Sequence, residues 1–187
     1  CVFIPSFLDD ETTKFISSYI QNKAKRESFV PEGLDWVSSK YFWYADPLTE
    51  TVLENSILKV EGITEKSLYP TYSFSRIYSQ NDLLIKHIDR DECEYSVSIH
   101  IGKEGEDSPF YIKNNFGKIE EHVFNPGDAI VYFGNKCLHW RKPLVETRTL
   151  ANAQVMLHYV DKNGEYSDLR LDGRKELGLS LSKVNWV

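Results

Sequence analysis

Leu83-Leu84-Ile85-Lys86-His87-Ile88-Asp89 is a largely apolar run that closes on two polar side chains separated by one residue. Its alternation and content read as a β-strand. Residues i and i+2 of a strand point to one face, so His87 and Asp89 share a side. An imidazole and a carboxylate on one side can grip a single ion. Further on, Gly127-Asp128-Ala129-Ile130-Val131-Tyr132-Phe133 is a second strong strand candidate, and Cys137-Leu138-His139-Trp140 follows it. His139 is therefore a second imidazole carried by strand-rich sequence.

The flanking sequence extends the β pattern. Short strands are expected over 70–79, 83–89, 94–101, 109–113, 118–124, 128–133, 137–140 and 149–160. Asn114-Asn115, Asn125-Pro126-Gly127 and Gly134-Asn135 supply the turns between them. Before residue 69 the periodicity is helical. Residues 9–26 carry Phe15, Ile16, Tyr19 and Ile20 at helical spacing after an acidic start. Residues 47–60 begin at Pro47 and carry Val52, Leu53, Ile57, Leu58 and Val60. Lys40 to Tyr44 is aromatic and strand-like. Two helices followed by eight short strands predict a mainly β domain, a double-sheet jelly roll with N-terminal helices on one face. The division expected is 1–68 as helical support, 69–160 as the jelly-roll core and 161–187 as a tail or lid.

Two histidines and one carboxylate on one face of a metal, with the opposite positions open, is the ligand set of non-haem Fe(II) oxygenases. Taken singly, each histidine also fits a core position. The third element is Arg148, nine residues after His139, from where a cation can reach a carboxylate extending away from the metal. In this order Arg76-Ile77-Tyr78, His87-Ile88-Asp89, Asn125-Pro126-Gly127-Asp128-Ala129, His139 and Arg148 resemble the motifs of the 2-oxoglutarate- and Fe(II)-dependent oxygenases, in particular the prolyl-hydroxylase-like branch. The resemblance covers roughly residues 70–160 and, more loosely, the Phe7-Leu8-Asp9-Asp10-Glu11 helix start.

The resemblance implies the double-stranded β-helix, with His87, Asp89 and His139 as metal ligands and catalytic centre. It implies Fe(II), 2-oxoglutarate and dioxygen, with ascorbate as an optional reductant, and release of succinate and carbon dioxide as a C–H bond is hydroxylated. Arg148 would pair with the distal carboxylate of 2-oxoglutarate, a geometry that a planar guanidinium favours, with Asn152 and Gln154 as fallback ligands. Tyr78 resembles a tyrosine that reaches the co-substrate. His100 falls near a position that hydrogen-bonds the same distal carboxylate. By strand parity Arg76 and Arg141 face inward, and an inward arginine is costly without an anion, so both are candidate substrate-binding residues. Arg90 is expected in a solvent-facing ion pair with Asp91 or Glu92, and His122 and His158 are expected to be structural.

Composition bounds the partners. The chain has 187 residues, 41% hydrophobic content and a net charge of −6, which suits one domain with a sizeable core and lacks the basic footprint of a nucleic-acid binder. No apolar run approaches the ~20 residues of a membrane helix. Cys1, Cys93 and Cys137 form neither a disulfide framework nor a zinc cluster, so a reducing, cytoplasmic compartment is expected, although the start at Cys1 suits a trimmed chain. Asp89 stands where halogenating relatives lack the carboxylate, and Thr149 to Tyr159 contains no further arginine of the kind carried by base-demethylating relatives. The substrate expected is a peptidyl proline, an amino acid or a small metabolite. Two alternatives stay open: a metal-binding jelly-roll protein without turnover, and a cupin-like dioxygenase that does not use 2-oxoglutarate. Neither needs a cation at the position of Arg148.

Overall fold

The computed structural model describes residues 1–26, 41–103, 109–114, 116–144 and 152–179. Its elements in chain order are β1 (Val2–Ile4), α1 (Asp10–Arg26), β2 (Tyr41–Tyr44), α2 (Pro47–Thr64), β3 (Leu68–Tyr78) and β4 (Leu84–His87). There follow β5 (Tyr95–Lys103), β6 (Phe110–Lys113), β7 (Ile119–His122), β8 (Ala129–Tyr132), β9 (His139–Arg141) and β10 (Asn152–Asp161). A six-stranded sheet has the order β1-β8-β5-β10-β3-β2, and a four-stranded sheet has the order β4-β9-β6-β7. All the pairings are antiparallel. Counting from β3, the large sheet takes the first, third, sixth and eighth strands and the small sheet takes the second, fourth, fifth and seventh.

The helices begin where local chemistry directs. Asp46 caps α2 by accepting from the Leu48 amide at 2.9 Å, and Pro47 takes the first turn, where its missing N–H costs nothing. Asp9 accepts from the Thr12 amide ahead of α1 at 2.8 Å. The buried faces are Thr13, Ile16, Ile20 and Ala24 of α1 and Thr49, Leu53, Ser56 and Val60 of α2. Phe15 and Leu58, expected on those faces, are 64% and 81% exposed. Each lies out of phase with the buried stripe, which follows the helical spacing of three and four residues.

Strand parity then divides the large sheet into two chemistries. Ile77 of β3, Val97, Ile99 and Ile101 of β5, and Val155, Leu157 and Tyr159 of β10 join Ile16, Ile20, Leu53 and Val60 in one apolar core. The alternate residues of the same strands, including Tyr72, Phe74, Arg76, Tyr78, Ser98, Gln154, Met156 and His158, face the small sheet. The short strand β1, absent from the expected elements, extends the large sheet by pairing Val2 with Val131 and Ile4 with Ala129. The turn Asn125-Pro126-Gly127 is held by Asp128, which accepts from the Asn125 and Ser6 amides at 2.8 and 2.9 Å.

The segment after β10 lies against β3. Arg174 and Glu50 form an ion pair at 2.7 Å with both side chains at most 2% exposed, and Glu50 also accepts from the amides of Ser73 and Gly178. No described helix is long and apolar enough to cross a membrane.

Candidate active site

β4 and β9 pair so that His87 lies opposite His139. The strand β4 ends at His87, two residues earlier than expected, and Asp89 is held instead by its own amide donating to Gly134 O at 2.9 Å. His87, Asp89 and His139 offer one ligand atom each, all within 4.8 Å of one another. Asp89 Oδ1 is 3.3 Å from His87 Nε2 and 3.6 Å from His139 Nε2. Each ring is oriented by the backbone: Nδ1 of His87 lies 2.8 Å from Ile85 O, and Nδ1 of His139 lies 2.9 Å from Cys137 O. A ring that donates Nδ1–H to a carbonyl presents Nε2 as a lone pair, which is the tautomer a divalent metal takes.

Electrostatics agree with an ionised Asp89 and a deprotonated His139. Burial pushes the Asp89 carboxyl up, but His139, the hydrogen bond from His87, and His158 outweigh it and hold it below its ordinary range. Burial is the largest influence on His139 and lowers it, Asp89 opposes, and the net direction is down. Two imidazoles beside one carboxylate fit a divalent cation that prefers mixed nitrogen and oxygen ligands.

The other carboxylate oxygen is enclosed. Ser96 Oγ donates to Asp89 Oδ2 at 3.5 Å and lies 2.9 Å from His158 Nδ1. His158, expected to be structural, is buried in this site, and burial lowers it to about 4. Its role was invisible in sequence because its neighbours arrive from β5 and from the turn at Asp91–Cys93. Gly134 closes the same side, since a Cβ there would meet Asp89 Oδ2 at 2.6 Å and Cys93 O at 2.5 Å. The sequence marked Gly134 only as a turn residue.

A cleft of about 760 Å³, including its open mouth, lies between the two sheets over these residues. His87, Asp89, His139, Tyr78, Arg76 and Arg141 all line it. Arg76 and Arg141 are 6% and 4% exposed, as strand parity predicted. Their guanidinium carbons lie 5.6 and 5.9 Å from the centre of the same Tyr78 ring. Gln154 also lines the cleft and donates to His100 Nδ1 at 2.6 Å. His100 is buried behind it, stacked on Phe124, and is not a lining residue. Asn152 is buried at the start of β10 with its Nδ2 unbonded. Arg148 lies outside the described residues. Arg90 pairs with Glu92 at 3.4 Å, as expected, but its closer partner is Asp172, held at 2.9 and 2.7 Å. His122 lies away from the cleft, 3.3 Å from Glu120.

No family model matches this chain, and no curated protein does. Solved structures do. A prolyl-4-hydroxylase from Pseudomonas putida is similar with a TM-score of 0.67 at 11% identity, over 84% of this chain and 90% of that one. A viral collagen prolyl hydroxylase from Paramecium Bursaria Chlorella virus-1, solved with 2-oxoglutarate, gives 0.62 at 12% identity, over 84% and 94%. HygX from Streptomyces hygroscopicus, solved with nickel and 2-oxoglutarate, gives 0.63 at 11%, over 87% and 82%. The chain thus has the fold of the prolyl hydroxylases and of other 2-oxoglutarate-Fe(II) oxygenases.

Proposed function

We propose that this protein is an Fe(II)- and 2-oxoglutarate-dependent dioxygenase that hydroxylates its substrate with release of succinate and carbon dioxide. The observation that carries this reading is the orientation of His87, Asp89 and His139, with both Nε2 atoms turned to one carboxylate oxygen inside a cleft between two sheets. The interleaved strand order supports the double-stranded β-helix as the architecture. The chain is read as one oxygenase unit, with 1–68 as support, 69–160 as core and 161–187 as a closing segment.

His87, Asp89 and His139 would hold the iron, and their placement leaves the side toward the cleft for other ligands. Bound there, iron with 2-oxoglutarate and dioxygen supplies the oxidative decarboxylation and the power to hydroxylate a C–H bond. The chain's own groups supply orientation. Backbone carbonyls of Ile85 and Cys137 fix the imidazole tautomers. Arg141, two residues beyond His139 on β9 and facing the same cleft, is placed to pair with the distal carboxylate of 2-oxoglutarate. Arg148, to which spacing first assigned this role, lies outside the described residues and stays the alternative anchor. Tyr78 and Tyr132 border the co-substrate space, and burial holds the Tyr132 phenol well above its usual range, so it stays a neutral hydrogen-bonding group. Phe110 and Met156 line the cleft and would limit water at the reacting centre.

The test is anaerobic addition of Fe(II) and then 2-oxoglutarate. Chelation gives a weak visible charge-transfer band, and a peptide and metabolite screen read by succinate release then tests turnover. A metal-storing protein would bind the ion with no spectral response to 2-oxoglutarate. A protein that gives neither band nor succinate is not this enzyme.

A further inference from the structure

Arg76 is the cation in this cleft whose charge the reading above leaves unused. Its side chain is 6% exposed, its Nε has no hydrogen-bond partner, and it makes no ion pair among the described residues. Among the described residues it lies against ring faces, with its guanidinium carbon 5.1 Å from the Phe74 centroid and 5.6 Å from that of Tyr78. Its neighbour across the strand pair is Gln154, whose amide is already engaged with His100. Asp89 is the one carboxylate among the described lining residues, and its oxygens are turned to the two histidines and to Ser96.

Removing a guanidinium from water without an anion is strongly unfavourable. Ring faces recover only a part of that cost. A group kept at such a cost inside a ligand cleft is poised for a negative ligand atom.

We propose that Arg76 binds a carboxylate of the substrate, so that the substrate of this site is a monocarboxylate with an apolar body beside the carbon to be oxidised. This rests on the co-substrate reading given above, in which Arg141 meets 2-oxoglutarate. A carboxylate is favoured over a phosphate dianion because one guanidinium matches it in charge and in planar, two-pronged geometry. The aromatic walls formed by Phe74, Tyr78 and Phe110 leave a second negative charge uncompensated. The same walls suit an aliphatic or aromatic body.

The experiment measures binding without turnover. The protein is loaded with Ni(II) and saturated with 2-oxoglutarate. It is then titrated calorimetrically with monocarboxylates from acetate to 4-phenylbutyrate, each beside its primary amide. At least one acid is expected to bind tenfold or more tightly than its amide, and the preference is expected to vanish in Arg76→Gln and Arg76→Met. Two different substitutions guard against one variant failing to fold, and Arg76→Met is expected to melt at or above the wild-type temperature because it removes a buried charge. Affinity for 2-oxoglutarate should change less than threefold in either variant. Equal binding of every acid and amide overturns the proposal, as does an acid preference that survives in the variants. Loss of 2-oxoglutarate binding in the variants also overturns it, by making Arg76 the co-substrate anchor. Wild-type protein that binds Ni(II) but not 2-oxoglutarate brings down the dioxygenase reading itself, and this proposal with it.

Discussion

Asp172 grips Arg90 with both carboxylate oxygens, at 2.9 and 2.7 Å, and so reaches from the C-terminal segment to the residue that follows Asp89. The Arg90 guanidinium lies over the Tyr72 ring, 4.5 Å from its centre, and Tyr72 in turn bonds the Cys93 thiol at 3.0 Å. Tyr44 donates to the same Asp172 carboxylate. The backbone that carries Asp89 is thereby tied to β2, β3 and the helical turn Ser167–Gly173 of the C-terminal segment.

Asp172→Asn keeps the shape of that clasp and removes its charge. Mn(II) affinity, read by electron paramagnetic resonance, is expected to fall about tenfold, the low end for groups that orient a metal ligand indirectly. The stability loss should be only about 1 kcal/mol, because Arg90 is 37% exposed and screened by solvent. Unchanged Mn(II) affinity would show that the clasp is structural alone.

Gly134→Ala tests the other side of Asp89. The new Cβ would crowd Asp89 Oδ2 and Cys93 O, both of which belong to close-packed, hydrogen-bonded groups. Overpacking of this kind costs about 1–3 kcal/mol. Metal affinity should drop by at least tenfold, since the strain falls on a proposed ligand. A variant with wild-type Mn(II) binding would refute this placement of the carboxylate.

Removing a ligand should separate metal binding from folding. Asp89→Ala and His139→Ala are expected to lose Fe(II)-dependent turnover while retaining the wild-type circular dichroism spectrum. The reason is that the apolar core lies on the far face of the large sheet, among Val97, Ile99, Val155 and Leu157. Coupled decarboxylation at the wild-type rate in both variants would exclude the three-residue metal site.

Arg141→Gln and Arg148→Gln compare two candidate anchors for 2-oxoglutarate. Arg141→Gln is expected to weaken its binding by roughly 10- to 100-fold, the worth of a charged hydrogen-bonded pair of about 1.5–3 kcal/mol. Arg148→Gln should change it far less. The reverse order in direct titration would return the role to Arg148.

Arg174→Met breaks a buried pair and leaves Glu50 with the Ser73 and Gly178 amides as its partners among the described residues. Urea unfolding is expected to show a loss of about 3–5 kcal/mol. The double variant Glu50→Leu with Arg174→Met should recover much of it. A loss below about 1 kcal/mol in the single variant would mean that the two amides suffice.

Much of this site was legible along the chain because strand parity is a local property. The inward Arg76 and Arg141 and the cleft-facing Tyr78 follow from a period of two, and the turn at Asn125-Pro126-Gly127 follows from residue type, whereas Asp89 lies two residues beyond β4 and is positioned by its amide bond to Gly134. The helices were legible in extent but less so in phase. Phe15 and Leu58 are apolar, yet the buried stripe passes beside them, because which side of a helix is covered depends on what it packs against.

What the sequence by itself determined is therefore the mainly β architecture with its N-terminal helices and the pairing of one imidazole with one carboxylate. Only tertiary structure decided which distant groups complete the site. His158 meets Ser96, Gly134 closes on Asp89, and Asp172 takes Arg90 across 82 residues. Tertiary structure also placed Arg141 in the cleft and His100 behind Gln154. These contacts join β10 to β5, the turn after β8 to the residue pair beyond β4, and the C-terminal segment to Arg90, so no spacing along the chain encodes them. They exist because antiparallel pairing and sheet-on-sheet packing bring residues far apart in sequence to within hydrogen-bonding distance.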